Sequence, residues 1–305
     1  MGTGIVSAAL GLAGEVALSD ALMWTAVGLW LALAAALARR LRREPGAALA
    51  GAGEPSSLAA VAATCVVGTR LTVAGVAWAG AALLAAGSLM WAALLGEVLR
   101  RRRIPPTGTG FLLAVGTFSL AVLAATLGRA EASRFLVALA IAWVAAGLAL
   151  YALALAHFDL RELLAGEGDH WIAGGAVAIG AFATSRLLAA GEAVRLPGGW
   201  HHALAVADVA LWLVAAGWLV ALVAVELARP RIRWSTLRWA TVFPLGMYAA
   251  ASITVGRAEG IGLAVEFGRA WAWVSLAAWV AAAALATPRA PRGRGRARRR
   301  GSEGR

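Results

Sequence analysis

Long stretches without charge constrain this chain more than any other feature of its sequence. The longest, Ser57–Leu99, carries only Arg70 before Glu97. As one helix rising about 1.5 Å per residue, it would be about twice as long as the hydrocarbon core of a bilayer is thick. We therefore predict two helices that turn near Arg70–Ala74. Only 14% of all residues are charged, against about 25% in soluble domains, which indicates an integral membrane protein.

The other apolar stretches are of two kinds. Four are rich in Leu, Ala, Val and Trp on all sides, as expected for helices that face lipid. These four are Ala21–Ala38, Phe135–Ala156, Ala203–Val225 and Ala270–Thr287. Four others contain more Gly, Ser and Thr, namely Met1–Leu12, Thr109–Gly128, Trp171–Ala190 and Trp239–Gly256. With the two helices of the longest stretch, the sequence predicts about ten transmembrane helices.

The two kinds of helix alternate along the chain, so the ten predicted helices form five hairpins. Small residues let membrane helices pack closely, and hydroxyl groups can face water. We predict an all-α membrane fold with an inner ring of odd-numbered helices around a pore and an outer ring of even-numbered helices. This domain covers residues 1–287. The segment 288–305, rich in Arg, Gly and Pro, is predicted to be a disordered basic cytoplasmic tail.

Arginine is distributed unevenly between the two sides of the predicted bundle. The tail and the connections after even-numbered helices hold 21 of the 28 arginines, and the opposite side holds seven. Because cytoplasmic loops of membrane proteins are enriched in basic residues, we predict that the arginine-rich side is cytoplasmic. The chain is then a multi-pass protein of the plasma membrane with both termini inside the cell.

Several classes of function lack the residues they need. All 28 basic residues are Arg, which excludes a lysine Schiff base and a P-loop lysine. The single cysteine, Cys65, cannot form an internal disulfide or a cysteine metal site. No HExxH pattern and no histidine–carboxylate cluster is present. We expect no catalytic residues, no cofactor and no metal site. Arginines beside apolar spans explain the net charge of +12 better than nucleic-acid binding.

The segment Trp239–Gly256 is the most informative for function. Pro244 removes a backbone hydrogen bond and kinks a helix, which membrane helices tolerate where neighbours or water satisfy the freed carbonyl. The bulky ring of Phe243 beside this kink is suited to closing a narrow pore. Composition alone favours the alternative, a packing residue beside an ordinary kink.

Five segments resemble, in order, the odd-numbered helices of a known family. They are MGTGIVSAAL (1–10), ATCVVGTRL (63–71), GTFSLAVLAATL (116–127), HWIAGGAVAI (170–179) and FPLGMYAAAS (243–252). The family is the tellurite-resistance/dicarboxylate transporter family, which includes bacterial tellurite-resistance proteins, the yeast malate permease and plant slow anion channels. The resemblance covers nearly the whole chain.

The resemblance implies a ten-helix fold with pseudo-fivefold symmetry, a pore through the odd-numbered helices, and a homotrimer with one pore per subunit. It also implies a pore-occluding phenylalanine on the ninth helix, which is Phe243 here, next to Pro244. Many relatives carry Gln where this chain has Phe118, so Phe118 is a candidate second ring in the pore. The implied function is transport of small anions, either a C4-dicarboxylate or an inorganic anion, through an aromatic-gated pore.

Three further sets of residues are candidates for the transport path. Hydroxyls on odd-numbered helices line the pore or bond back to their own helix carbonyls; they are Thr3, Ser7, Thr64, Thr117 and Ser119. Arginines at the outer ends of odd-numbered helices attract anions or cap their helices; they are Arg70, Arg129, Arg186 and Arg257. Asp208, well inside an apolar span, is a candidate proton site or a contact to a neighbouring subunit or the interface.

The sequence is compatible with a channel and with a proton-coupled carrier. A membrane sensor or structural protein without transport is the alternative, and an intramembrane enzyme is less favoured.

Overall fold

A computed structural model describes residues 1–44, 46, 51–101, 104–165, 168–229 and 239–286, and these residues form helices and no strand. The ten long helices are α1 Gly2–Ala13, α2 Val16–Arg43, α3 Ala59–Val73, α4 Ala77–Arg101, α5 Leu112–Ala130, α6 Arg134–His157, α7 Trp171–Ala193, α8 Gly198–Ala228, α9 Trp239–Ala258 and α10 Gly262–Ala286. Short 3₁₀ turns, Pro55–Leu58 and Gly108–Phe111, lead into α3 and α5. The predicted basic tail, 288–305, lies outside the described residues.

Nine helices of the described part, α2 to α10, are long and apolar enough to cross a membrane when the 3₁₀ turns are counted with α3 and α5. The tenth, α1, is a shorter apolar helix of 12 residues. The predicted division of Ser57–Leu99 is confirmed, because α3 ends at Val73 and α4 begins at Ala77. The chain therefore has the predicted all-α membrane fold.

The odd-numbered helices form a closed inner ring in the order α1, α3, α5, α7, α9 and back to α1. Each even-numbered helix packs against the odd-numbered helix before it and the one after it. The most apolar part of α5 is entirely buried, whereas only 17% of the corresponding part of α2 is buried. The predicted inner and outer rings are thus confirmed.

Each of the five hairpins turns through the same backbone geometry. One residue per turn has a positive φ: Gly14, Gly75, Ala132, Arg195 and Gly260. The next residue donates its N–H to the carbonyl five positions earlier; the five donors are Glu15, Val76, Ser133, Leu196 and Ile261. This is the Schellman motif, in which glycine is usual because it adopts positive φ without strain. The repeat shows that five equivalent hairpins build the bundle, and we call this end of it the turn end.

Four tryptophans of the outer ring hold the inner ring by hydrogen bonds. Each donates its indole N–H to a hydroxyl on the next odd-numbered helix, at 2.8 to 3.0 Å. The pairs, which we call the indole belt, are Trp30 with Thr64, Trp91 with Thr117, Trp212 with Ser252, and Trp279 with Thr3. These bonds satisfy polar groups that would otherwise be costly inside a membrane.

Candidate functional site

A narrow central cavity of about 20 Å³, enough for about one water molecule, lies among α1, α3, α5 and α7. Its lining consists of Ile5, Ala8, Val66, Thr69, Arg70, Ser119, Val122, Ile179 and Phe182. The wall is therefore mainly apolar, and Arg70 is the one charged residue among those nine. Four of the five inner helices contribute to it, which places the cavity inside the ring.

The two hydroxyls of the cavity wall use their protons within their own helices. Thr69 donates to the carbonyl of Cys65 at 2.8 Å, and Ser119 donates to that of Val115 at 2.7 Å. A hydroxyl whose proton is used in this way offers lone pairs to a ligand. The wall around these residues is thus poor in hydrogen-bond donors.

Within the described part of the chain, Ser119 is the only one of the five predicted pore-lining hydroxyls that reaches this cavity. Thr3, Thr64 and Thr117 accept bonds from the indole belt instead. Ser7 exchanges hydrogen bonds with Ser19 of α2, each hydroxyl donating to the other's carbonyl. These positions join the two rings, which favours a structural role for them.

Phe243 is 1% exposed on α9, and Pro244 lies within the same helix. A Cβ added to Gly175 of α7 would come within 2.8 Å of Pro244, so the two helices approach closely there. Ile179, which lines the cavity, is four residues, or about one helical turn, closer to the turn end than Gly175. Phe243 therefore lies just beyond the cavity, on the side away from the turn end.

The ring of Phe118 lies between the inner and outer helices. A Cβ on Gly147 of α6 would approach this ring to 2.6 Å, and one on Gly180 of α7 to 3.2 Å. The neighbouring residue, Ser119, faces the cavity. This position favours a packing role for Phe118 over the predicted role as a second ring in the pore.

The four predicted mouth arginines lie in two tiers. Arg70, with its side chain 12% exposed, lines the cavity and donates to the Ser19 hydroxyl at 2.8 Å. Arg186 is partly buried, whereas Arg129 and Arg257 are exposed. Arg257 donates to the carbonyl of Leu12 at the end of α1, at 2.7 Å. Arg70 and Arg186 thus form an inner pair and the other two an outer pair.

Arg186 stacks on a phenylalanine that the sequence interpretation missed. Its guanidinium carbon lies 5.1 Å from the centre of the Phe182 ring, a cation–π contact of the kind that contributes about 0.5–2 kcal/mol. The other three arginines all act electrostatically on Arg186. The sequence signal that could have identified this contact is the spacing of four residues between a phenylalanine and an arginine on an inner helix, because residues at that spacing share one face of a helix.

Asp208 is fully buried on α8. Its two carboxylate oxygens lie 2.8 Å from the hydroxyl of Ser185 on α7, which donates to them. The contact observed for this carboxylate is thus within one chain, between an inner and an outer helix. Asp208 does not belong to the lining of the central cavity.

A closed ring of inner helices around an apolar cavity with arginines at one end defines a membrane channel or transporter. The chain belongs to the voltage-dependent anion channel family, SLAC1, whose profile matches residues 1–287. That family is part of the tellurite-resistance/dicarboxylate transporter family, so the predicted resemblance is confirmed. Its members are anion channels and transporters. Searches of curated proteins and of solved structures return no match to this chain.

Proposed function

We propose that this protein is a channel for small monovalent anions, with the central cavity in the path and Phe243 as its constriction. The observation that carries the proposal is the cavity wall, which is apolar and has Arg70 at the turn end. A positive charge at the entrance concentrates anions and repels cations. The buried Phe243 lies just beyond the cavity, where a bulky side chain would narrow the continuing path.

The wall chemistry supports weakly hydrated, singly charged anions as the substrates. An anion that enters this cavity loses water, and the Thr69 and Ser119 hydroxyls do not replace it because their protons are bound elsewhere. The free-energy cost of dehydration is lower for a large monovalent anion than for a small one or a dianion. Nitrate should therefore pass more readily than chloride, and a C4-dicarboxylate least readily.

A channel fits the structure better than a proton-coupled carrier. A carrier of that kind needs a protonatable group that senses the transported anion. Asp208 is bonded to Ser185 on the outer side of α7, away from the residues that line the cavity. Continuous passage past a constriction needs no such group.

Flux measurements in proteoliposomes test the proposal. Purified protein should carry nitrate faster than chloride, and chloride faster than malate, in response to a concentration gradient with no pH gradient. Malate uptake that requires an inward proton gradient would contradict the channel and support a carrier. Flux no greater than that of empty liposomes would contradict transport altogether.

We further propose a homotrimer in the plasma membrane with both termini on the cytoplasmic side. One chain closes its own ring of five inner helices, so each subunit would have a separate pore. The last turns of α2 and α4 carry arginines at the end of the bundle opposite the turn end, which supports the orientation. Mass measurement in detergent tests the trimer, and labelling of cysteines introduced near either terminus tests the orientation.

A further inference from the structure

We propose that Phe182 and Arg186 form a second gate, at the turn end of the cavity, which opens when an anion binds to Arg186. This inference rests on the proposed function, because it requires that anions pass through the cavity. It adds a binding site for a small anion and an aromatic constriction separate from Phe243.

The position of Phe182 supports a constriction. Its side chain lines the central cavity together with Arg70 and is only 2% exposed, so the ring lies between the cavity and the partly buried Arg186. Arg186 follows four residues later, about one turn nearer to the turn end. An anion that enters from the turn end would meet the guanidinium before it meets the ring.

The two phenylalanines would enclose the cavity between them. Pro244, next to Phe243, packs against Gly175 of α7. Phe182 is seven residues further along the same helix, a rise of about 10 Å at 1.5 Å per residue. Ile179 and Ser119 line the space between these two levels. The path then has a short apolar chamber with one ring at each end.

One N–H group of the Arg186 guanidinium is unpaired among the residues that the structure describes. This group, at Nε, is buried and has no hydrogen-bond partner among the described residues. Arg70, Arg129 and Arg257 add positive potential at the same place and repel this guanidinium. Because an unpaired buried N–H is costly, an anion that accepts a hydrogen bond from Arg186 would supply what the site lacks.

Anion binding would weaken the hold of Arg186 on the ring. The ring interacts with the face of the guanidinium, and an anion binds to its N–H edge, so both can contact it at once. The ring and the anion compete for the positive charge of the guanidinium, however, because an anion bound to the N–H edge reduces the attraction between the guanidinium and the face of the Phe182 ring. When the ring is held less firmly, Phe182 can change its rotamer and leave the path. The anion that binds to Arg186 thus opens the path for itself and for the anions that follow it.

The first test is the dependence of flux on the external nitrate concentration, at constant ionic strength with an impermeant anion as replacement. Wild type should show a flux that rises more steeply than in proportion to nitrate. Phe182→Ala should raise the flux severalfold at low nitrate and make the rise proportional. Phe182→Leu keeps most of the volume and should also lose the steep rise. A proportional response in wild type, or an unchanged steep response in both variants, would overturn the gate.

Phe118→Leu is the matched control for these variants. Phe118 is also buried beside α7, but it packs between Gly147 and Gly180 rather than in the cavity wall. This variant should keep the wild-type dependence on nitrate. If it loses the steep response together with the Phe182 variants, the effect arises from packing and the proposal fails.

Variants of Arg186 separate charge from stacking. Arg186→Lys keeps the positive charge but loses the planar face, so it should lose the steep response and keep the preference for anions. Arg186→Gln should lose the steep response and lower this preference. A steep response retained in both variants would show that Arg186 does not hold the ring.

The second test measures access to the chamber directly. In a Cys65→Ala background, Ser119→Cys places a thiol between the two rings, and an impermeant, negatively charged thiol reagent is added on the turn-end side. Modification should be slow without nitrate and severalfold faster with it, and Phe182→Ala should make it fast in both conditions. A rate that nitrate does not change would contradict an anion-opened gate.

These results distinguish the inference from the proposed function. Anion flux in wild type that is raised by Phe243→Ala, with Phe182 variants like wild type, would overturn only the second gate. No anion flux in wild type or in Phe243→Ala would overturn the channel and the second gate together.

Discussion

Trp279 donates its indole N–H to the hydroxyl of Thr3 at 3.0 Å, across 276 positions of the chain. This bond joins α10 to α1. Each of the other even-numbered helices contacts the odd-numbered helix that follows it, and here the last helix contacts the first. The bond therefore joins the last outer helix to the first inner helix, through two residues that are among the most distant in sequence.

Loss of this bond should destabilise the fold. Trp279→Phe should lower the free energy of unfolding in detergent by about 1 kcal/mol or more, since a typical hydrogen bond contributes about that amount. A double-mutant cycle with Thr3→Val separates the bond from the loss of apolar contact. Trp78→Phe on α4 is the control, because Trp78 is 78% exposed and should tolerate the change. A coupling energy of zero between Trp279 and Thr3 would show that the bond contributes nothing.

Much of the fold follows from hydropathy, because apolar spans and small-residue spans alternate in the sequence. The division of Ser57–Leu99 into two helices follows from length alone, and α3 and α4 confirm it. The fivefold repeat of the turns is hidden, however. Ala132 and Arg195 adopt the positive φ that glycine adopts in the other three turns, so these two Schellman motifs have no glycine to mark them.

The site was harder to predict than the fold. A sequence shows that Thr64 and Thr117 lie on inner helices, but not which face of each helix meets an indole of the outer ring. Phe118 is predicted as a second ring in the pore because it departs from a family pattern, yet its ring packs against Gly147 and Gly180. Which of several phenylalanines faces the centre depends on helix rotation, which packing between distant segments determines.

Removal of the Phe243 ring should open the path. Phe243→Ala should raise nitrate flux in proteoliposomes severalfold, because the buried side chain lies just beyond the cavity, where we propose that the path continues. Phe243→Leu should have a smaller effect, since it retains most of the volume.

Phe118→Ala is the control for this change. It removes a ring of the same size, also 1% exposed, from between α5, α6 and α7. Buried Phe→Ala changes typically cost 3–5 kcal/mol, so this variant should be less stable but should not conduct more. Equal increases of flux in Phe118→Ala and Phe243→Ala would contradict the assignment of Phe243 as the constriction.

The two tiers of arginines should differ in their effect on selectivity. Arg70→Gln should lower the preference for nitrate over sodium severalfold, because Arg70 lines the cavity and is shielded from salt. Arg129→Gln should have a small effect at about 0.15 M salt, where charges further apart than about 8 Å are screened, and a larger effect at low salt. Reversal potentials in planar bilayers at two salt concentrations measure both. Equal losses of selectivity in Arg70→Gln and Arg129→Gln at the higher salt concentration would show that the burial of an arginine at the turn end does not determine its effect.

Substitution of Asp208 tests the remaining alternative, a proton-coupled carrier. Asp208→Asn keeps the shape of the side chain and still accepts a hydrogen bond from Ser185, but it removes the titratable group. Because Asp208 lies outside the cavity lining, nitrate flux and its response to an imposed pH gradient should equal those of wild type. Ser185→Ala leaves the carboxylate without this donor and should cost about 1–3 kcal/mol of stability, again without a change in selectivity. Uptake that is driven by a pH gradient in wild type and lost in Asp208→Asn would instead place a proton on this carboxylate during transport, and the channel proposal would then be wrong.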